Sequence, residues 1–286
     1  MGPVRIIPRD QRDLLGEGLL WSARDGAVYW TDILAPALNR LSLADGRVTR
    51  WPMPERIGWV IERRVAPGFI AGFQSAFAEL ALDPVTVTPI ADPEPGMPDN
   101  RLNDAKADRW GRIWAGTMPM GADRPSGGLY RIDPDHGVRQ IDTGYTVANG
   151  PAISPDGRWL YHTDTAPGRV YRFRLDEAGA HDRELFLRFE PGWGKPDGMT
   201  FDVDGGLWIA CWGASRVSRF TPDGAFDRSI ELPASQITNV CFAGDGLDRM
   251  FVTSAAVDRK NEEHAGALFE VDPGGARGLP PERFGG

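Results

Sequence analysis

Short apolar alternations recur along the chain, each broken by a Gly-bearing turn and followed by a second, aromatic-rich run. The clearest copy is Asn149 to Thr165, NGPAISPDGRWLYHTDT. It has a polar opener, a short strand, a Pro-Asp-Gly turn at Pro155 to Gly157, and a second strand from Trp159 to Thr163. Two β-rich runs about such a turn predict a hairpin. The phrase returns as EGLLWSARDGAVYWTD from Glu17, NDAKADRWGRIWAGT from Asn103, DGMTFDVDGGLWIACWG from Asp197 and NVCFAGDGLDRMFVTS from Asn239.

The spacing turns hairpins into an architecture. Asn103 to Asn149 is 46 residues, Asn149 to Asp197 is 48, and Asp197 to Asn239 is 42. Glu17 to Asn103 is 86 residues, two periods of 43, which places a copy near residue 60. GWVIERRVAPGFIAGF from Gly58 is that copy, degenerate, with Pro67-Gly68 at its turn. A period of 40 to 50 residues with about four strands per repeat marks a β-propeller. The fold predicted is all-β: six four-stranded blades around a central channel, one closed domain over residues 1–286. A helical solenoid would need a 3.6-residue apolar period that these segments lack. PVRIIP at residues 3–8 predicts a lone strand that closes the last blade, whose other strands are Asn239 to Ser254 and Gly266 to Val271. From Pro273 the tail reads as loop or disordered end.

Composition narrows the partners. A net charge of −8 opposes a general nucleic-acid partner and an anionic membrane surface. No stretch approaches 18 uninterrupted apolar residues, and the charged first 20 residues hold no signal-peptide core, so cytoplasm is the expected location. Cys211 and Cys241 sit on neighbouring predicted blades, where a bridge is conceivable; two buried free thiols are expected.

The first strand of a propeller blade lines the channel, so residues at one phase of those strands form a ring. Here the ring reads Glu17, a blank in blade two, Asn103, Asn149, Asp197 and Asn239. Asn and Asp open many strands as plain turn residues, which covers one or two of these. Glu17 is no turn former. A ring of carboxylate and amide oxygens suits a hard cation. One divalent ion is expected, drawn from calcium, magnesium, manganese, zinc or iron(II). Zinc in a Cys or His site is disfavoured, because the four His show no ligand spacing. His162 reads as a packed strand residue. Arg101, Trp193 and Lys195 lie on the predicted rim and are candidates to meet a substrate, Arg101 most of all because it stands two residues before Asn103. No G-x-S-x-G elbow, Ser-His-Asp set or phosphate loop is present.

LGEGLLW at Leu15 to Trp21, NRLND at Asn100 to Asp104, NGPAISPDGRWLYHTDT and KPDGMTFDVDGGLWIACWG together resemble the senescence marker protein, gluconolactonase and regucalcin family. The similarity runs from about Leu15 to Val271. It implies a six-bladed propeller with one divalent metal in the channel that hydrolyses sugar lactones. By the same resemblance Glu17, Asn149 and Asp197 match metal ligands, Asp197 also the acid/base residue, and Arg101 and Asn103 substrate contacts. Several relatives place a Glu in the blade-three loop to bind sugar hydroxyls. Here that stretch reads Met118, Pro119, Met120, Gly121, with Asp123 the nearest acid. The expectation is a metal-dependent lactonase that opens an aldonolactone to its aldonic acid. A phosphotriester or aryl-ester hydrolase, and a non-enzymatic calcium-binding propeller, are the alternatives on the same ring.

Overall fold

The computed structural model describes residues 4–259 and 261–286. Every regular element among them is a strand, and the strands form six four-stranded antiparallel sheets. Five sheets take four strands in chain order. Their inner strands are Gly16–Ser22, Ile57–Glu62, Asn100–Ala107, Ala148–Ile153 and Lys195–Phe201, and the sixth begins with Ile237–Ala243. The degenerate copy is a full blade: Ile57–Glu62 and Phe69–Phe73 flank its turn. Among the described residues no helix is long and apolar enough to cross a membrane.

The sixth blade borrows its outer strand from the start of the chain. Arg5–Ile6 pairs antiparallel with Leu268–Val271, Arg5 opposite Glu270 and Ile6 opposite Phe269. Pro3 of the expected closing strand lies outside the described residues. The join leaves the blade with four strands and covers the edge of Leu268–Val271.

Cohesion comes from packing blade on blade. Leu20, Tyr29 and Leu38 of the first blade meet Ile57, Val60, Phe69 and Ala71 of the second. The recurrent Asp-Gly turns have a structural reason that involves the following aromatic. Asp108 accepts the backbone N–H of Trp110 and Arg112, the Arg112 guanidinium and the Trp114 indole N–H. Asp202 repeats this with the N–H of Asp204 and Gly206, the Trp208 indole and Arg219. Both indoles are fully buried with their polar edge satisfied, a condition for burying tryptophan cheaply. Cys211 and Cys241 are free and buried.

At the far end of the channel the tail contains no strand yet is held. Val203 N–H donates to Arg277 O, Gly278 bridges Asp202, and fully buried Phe284 bridges Arg63. His162 is packed as expected, its ring edge-on to Tyr145 with centroids 4.5 Å apart. Burial pushes it down to about 3, so it is neutral.

Candidate active site

Each inner strand begins at one end of the channel, and just inside that end its pairing with the second strand slips. The breaks fall between Glu17 and Leu20, Ile57 and Trp59, Leu102 and Ala105, Asn149 and Ala152, Pro196 and Met199, and Ile237 and Asn239. A bulge bends the strand and re-aims its side chains. The ring is therefore not one register position, as the repeat alone predicts. Glu17 and Asn149 are the last paired residues before the break, opposite Thr31 and Thr163, whereas Asn103 and Asp197 are the first residues inside it. Glycine allows the first form: Gly18 and Gly150 follow Glu17 and Asn149 at φ 59° and 74°. At Gly18 a Cβ would also stand 2.4 Å from the Gly58 carbonyl oxygen.

The structure brings all five predicted site residues into the channel, buried. Asn103 is the hub of one side: its amide donates to Asn149 Oδ1 at 2.7 Å and to Ala148 O at 2.6 Å. Its Oδ1 accepts from Arg101 Nη1 at 2.5 Å, and Arg101 also donates to Leu102 O. Asn149 Nδ2 donates to Thr165 Oγ1, whose hydroxyl donates to Pro196 O, tying the amide to the strand that carries Asp197. On the other side Asn239 Nδ2 donates to Glu17 Oε2 at 3.0 Å and to Asp104 Oδ2 at 3.2 Å.

Three carboxyls, Glu17, Asp104 and Asp197, are 5%, 8% and 4% exposed and none has an ion-pair partner within contact among the described residues. Desolvation pushes Glu17 up to about 7, partly offset by the hydrogen bonds from Asn239 and Gly18. Desolvation and the Glu17 charge push Asp104 up to about 8. Asp197 is driven well above the carboxylate range by burial and then by the Glu17 and Asp104 charges. The charges of Glu17 and Asp197 act on each other in the buried channel, which opposes ionising both at once. Burial lowers Arg101 to about 10 against the pull of Glu17 and Asp197.

Among the described residues no three His, Cys, Asp or Glu side chains are arranged as a metal cluster. The donor set is of another kind, two carboxylates and one amide. Asp197 Oδ1 is buried without a hydrogen-bond partner. Asn149 Oδ1 accepts one bond and keeps a second lone pair. Hard oxygen donors, one of them orphaned, in a nest that already concentrates negative charge fit a hard divalent cation.

The other rim candidates divide. Lys195 sits at the mouth with Nζ 2.6 Å from Ala166 O. Trp193 does not face the channel: its ring packs against Phe189, Phe220 and Phe226, which corrects the reading of it as a substrate contact. Asp104 was missed. It directly follows Asn103, and strict alternation would point it away; within the bulge two successive residues face inward. A 180 Å³ cavity at the mouth is bordered by Arg101, Asn100, Gln74 and Thr117. A larger cavity of 310 Å³ lies toward the other end, under Pro280 and Pro281, and reaches the site only through Gly18 and Asp104. The mouth cavity is the one beside Arg101.

Residues 15–256 match the family described as the SMP-30/gluconolactonase/LRE-like region. The chain belongs to that family. Among SMP-30/gluconolactonase relatives it is 38% identical over 257 residues to 6-deoxy-6-sulfogluconolactonase of Pseudomonas putida, covering 89% of this chain and 88% of that protein. It is 34% identical over 287 residues to L-arabinolactonase of Azospirillum brasilense, covering 97% and 94%. The solved structure of a calcium-binding protein, regucalcin, from Agrobacterium tumefaciens superposes with a TM-score of 0.92 at 26% identity, over 99% of this chain and 97% of that one.

Proposed function

We propose that the protein hydrolyses a sugar lactone to the open-chain sugar acid at the mouth of its channel, with one divalent cation held by Glu17, Asn149 and Asp197. The observation that carries this is buried Asp197, its Oδ1 left unpaired under the charges of Glu17 and Asp104, set beside the hydrogen-bonded Arg101 and Asn103. Relatives named for lactone hydrolysis, at 38% and 34% identity, support the reaction class. A relative named as calcium-binding supports the ion.

When bound, a divalent ion supplies Lewis-acid polarisation of the lactone carbonyl. Asp197 holds the proton traffic: its carboxylate takes a proton from the attacking water as the new C–O bond forms. The same carboxyl returns the proton to the ring oxygen as the ester C–O bond breaks, leaving an alcohol and a carboxylic acid. Arg101 and Asn103 orient the substrate, Arg101 through charge-assisted hydrogen bonds. Buried next to Glu17, Asp197 is raised by surroundings that a cation would oppose, so ionised Asp197 is favoured when the ion is present.

The test is acid release from a panel of pentono- and hexonolactones, before and after chelation and with each divalent ion restored. Hydrolysis that disappears on chelation and returns with metal is expected. Full turnover by metal-free protein overturns the ion, and no hydrolysis of any lactone with any ion overturns the reaction.

A further inference from the structure

At the blade-two position of the ring stands Gly58, where a Cβ would lie 2.2 Å from the Asn103 carbonyl oxygen, so the inner strands of blades two and three touch there. Two residues upstream of that contact, on each strand, is an arginine: Arg56 and Arg101. They occupy the same rung. Arg101 pairs with Met118, one step outside the Leu102–Thr117 pair. The Arg56 carbonyl accepts Gln74 N–H at 2.8 Å, one step outside the Ile57–Phe73 pair. Lys195, opposite Trp212, holds this rung in blade five. Three of the six blades therefore present a cation at the mouth, above a ring of acids.

Arg101 is accounted for by its turn inward to Asn103 and the acids. Arg56 is not. It is partly buried, and its Nη1 lies 2.8 Å from the Met120 sulfur, a weak and uncharged acceptor. Among the described residues neither guanidinium ion-pairs with a carboxylate; Asp99 and Asp123, the acids of the facing loop, engage Arg124 at 3.6 Å and 3.2 Å. The Arg56 charge reaches Arg101 and lowers its affinity for its proton. Arg101 has Glu17 and Asp197 on its inner side, whereas Arg56 has no carboxylate partner, so an anion at the mouth would meet the Arg56 charge and offset its repulsion of Arg101.

Building on the lactonase reading, we infer that Arg56, beside Arg101, is a subsite for an anionic group on the substrate, so that the preferred lactone carries a sulfonate, phosphate or carboxylate at the end remote from its carbonyl. Guanidinium forks recognise all three oxyanions by paired hydrogen bonds. The methionine stretch Met118 to Gly121 belongs to the same arrangement: an acid there would occupy Arg56 itself.

The test compares kcat/KM for a neutral hexonolactone and for its 6-sulfonate, 6-phosphate and 6-carboxylate counterparts, in the wild type, Arg56→Gln and Arg56→Lys. The wild type should prefer at least one anionic lactone, and the best arm names the group. Arg56→Gln should lower kcat/KM about 10–100-fold more for that lactone than for the neutral one, chiefly through KM, and Arg56→Lys should restore part of the preference. Equal loss on both lactones, or a wild-type preference for the neutral one, overturns the subsite. Calorimetric binding of 6-phosphogluconate against gluconate reads the subsite without turnover. Tighter binding of the phosphate in the wild type but not in Arg56→Gln sustains the inference even if no lactone is hydrolysed. Indistinguishable affinities in the wild type sink it while leaving lactone hydrolysis standing.

Discussion

Asp197 and Asp202 lie five residues apart at the two ends of one inner strand, and both are buried. Asp202 is surrounded by donors: Arg219, the Trp208 indole and two backbone N–H groups hold it below the usual carboxylate range. Asp197 has Glu17 and Asp104 for company and one oxygen with no donor, and stands well above that range. Asp104 and Asp108 of blade three divide in the same way by their partners: Asp104 accepts from Asn239 and one backbone N–H, Asp108 from Arg112, Trp114 and the turn. Burial alone therefore does not mark a site in this fold. The far-end carboxylates build the blades, and the mouth carboxylates are held in an unfavourable state that the proposed cation would relieve.

The comparison is broken most sharply by exchanging amides for acids at both ends. Asp197→Asn should fold normally and lose about 10²–10⁴-fold in kcat at saturating metal, as removal of a general base does. Asp202→Asn should leave kcat essentially unchanged and lower stability, by about 3 kcal/mol if the Arg219 pair is broken. Thermal melts run beside kinetics distinguish the two; recovery of Asp197→Asn to wild-type rate at high metal makes Asp197 a ligand and not the base.

A smaller effect sharpens the roles inside the mouth. Arg101→Ala should keep the metal, since arginine is no ligand, and lose roughly 1.5–3 kcal/mol of transition-state stabilisation, read as kcat/KM. Unchanged kcat/KM with unchanged metal affinity would assign Arg101 to the Asn103 scaffold alone.

The smallest effect is on stability against pH in metal-free protein. Glu17 and Asp104 bind protons more tightly folded than unfolded, at about 7 and about 8. Their contribution is complete below the unfolded carboxylate range and is lost as pH rises through those values. The melting temperature should fall between about pH 5 and pH 9 without metal, and the fall should shrink when the ion is bound. A melt of metal-free protein that is flat over this interval contradicts the raised carboxyls.

Much of this was legible in the residues, for identifiable reasons. A period written six times exposes blades even where Gly58 replaces a polar opener, because the apolar alternation survives there. Glu17 stood out because glutamate has no business opening a turn. Asp104 was illegible because period-2 reasoning assigns neighbours to opposite faces, and only a bulge breaks that rule. Trp193 was misread because its neighbours in sequence lie on the rim while its partners, Phe220 and Phe226, come from two later strands. Arg56 needed the register: its rung partner, Gln74, is named by a hydrogen bond and by nothing in the motif.

The pairing of Arg5–Ile6 with Leu268–Val271 carries a consequence in time. A ribosome making roughly 5–20 residues per second needs on the order of tens of seconds between the two halves of that ladder. Throughout that interval five blades can form in the order they emerge, while the first strand waits without its partner. Closing the sixth blade then waits on the meeting of two segments far apart in the sequence. A mutation that weakens only this seam would lengthen the wait, and its effect would be felt during biosynthesis before it was felt in the finished enzyme.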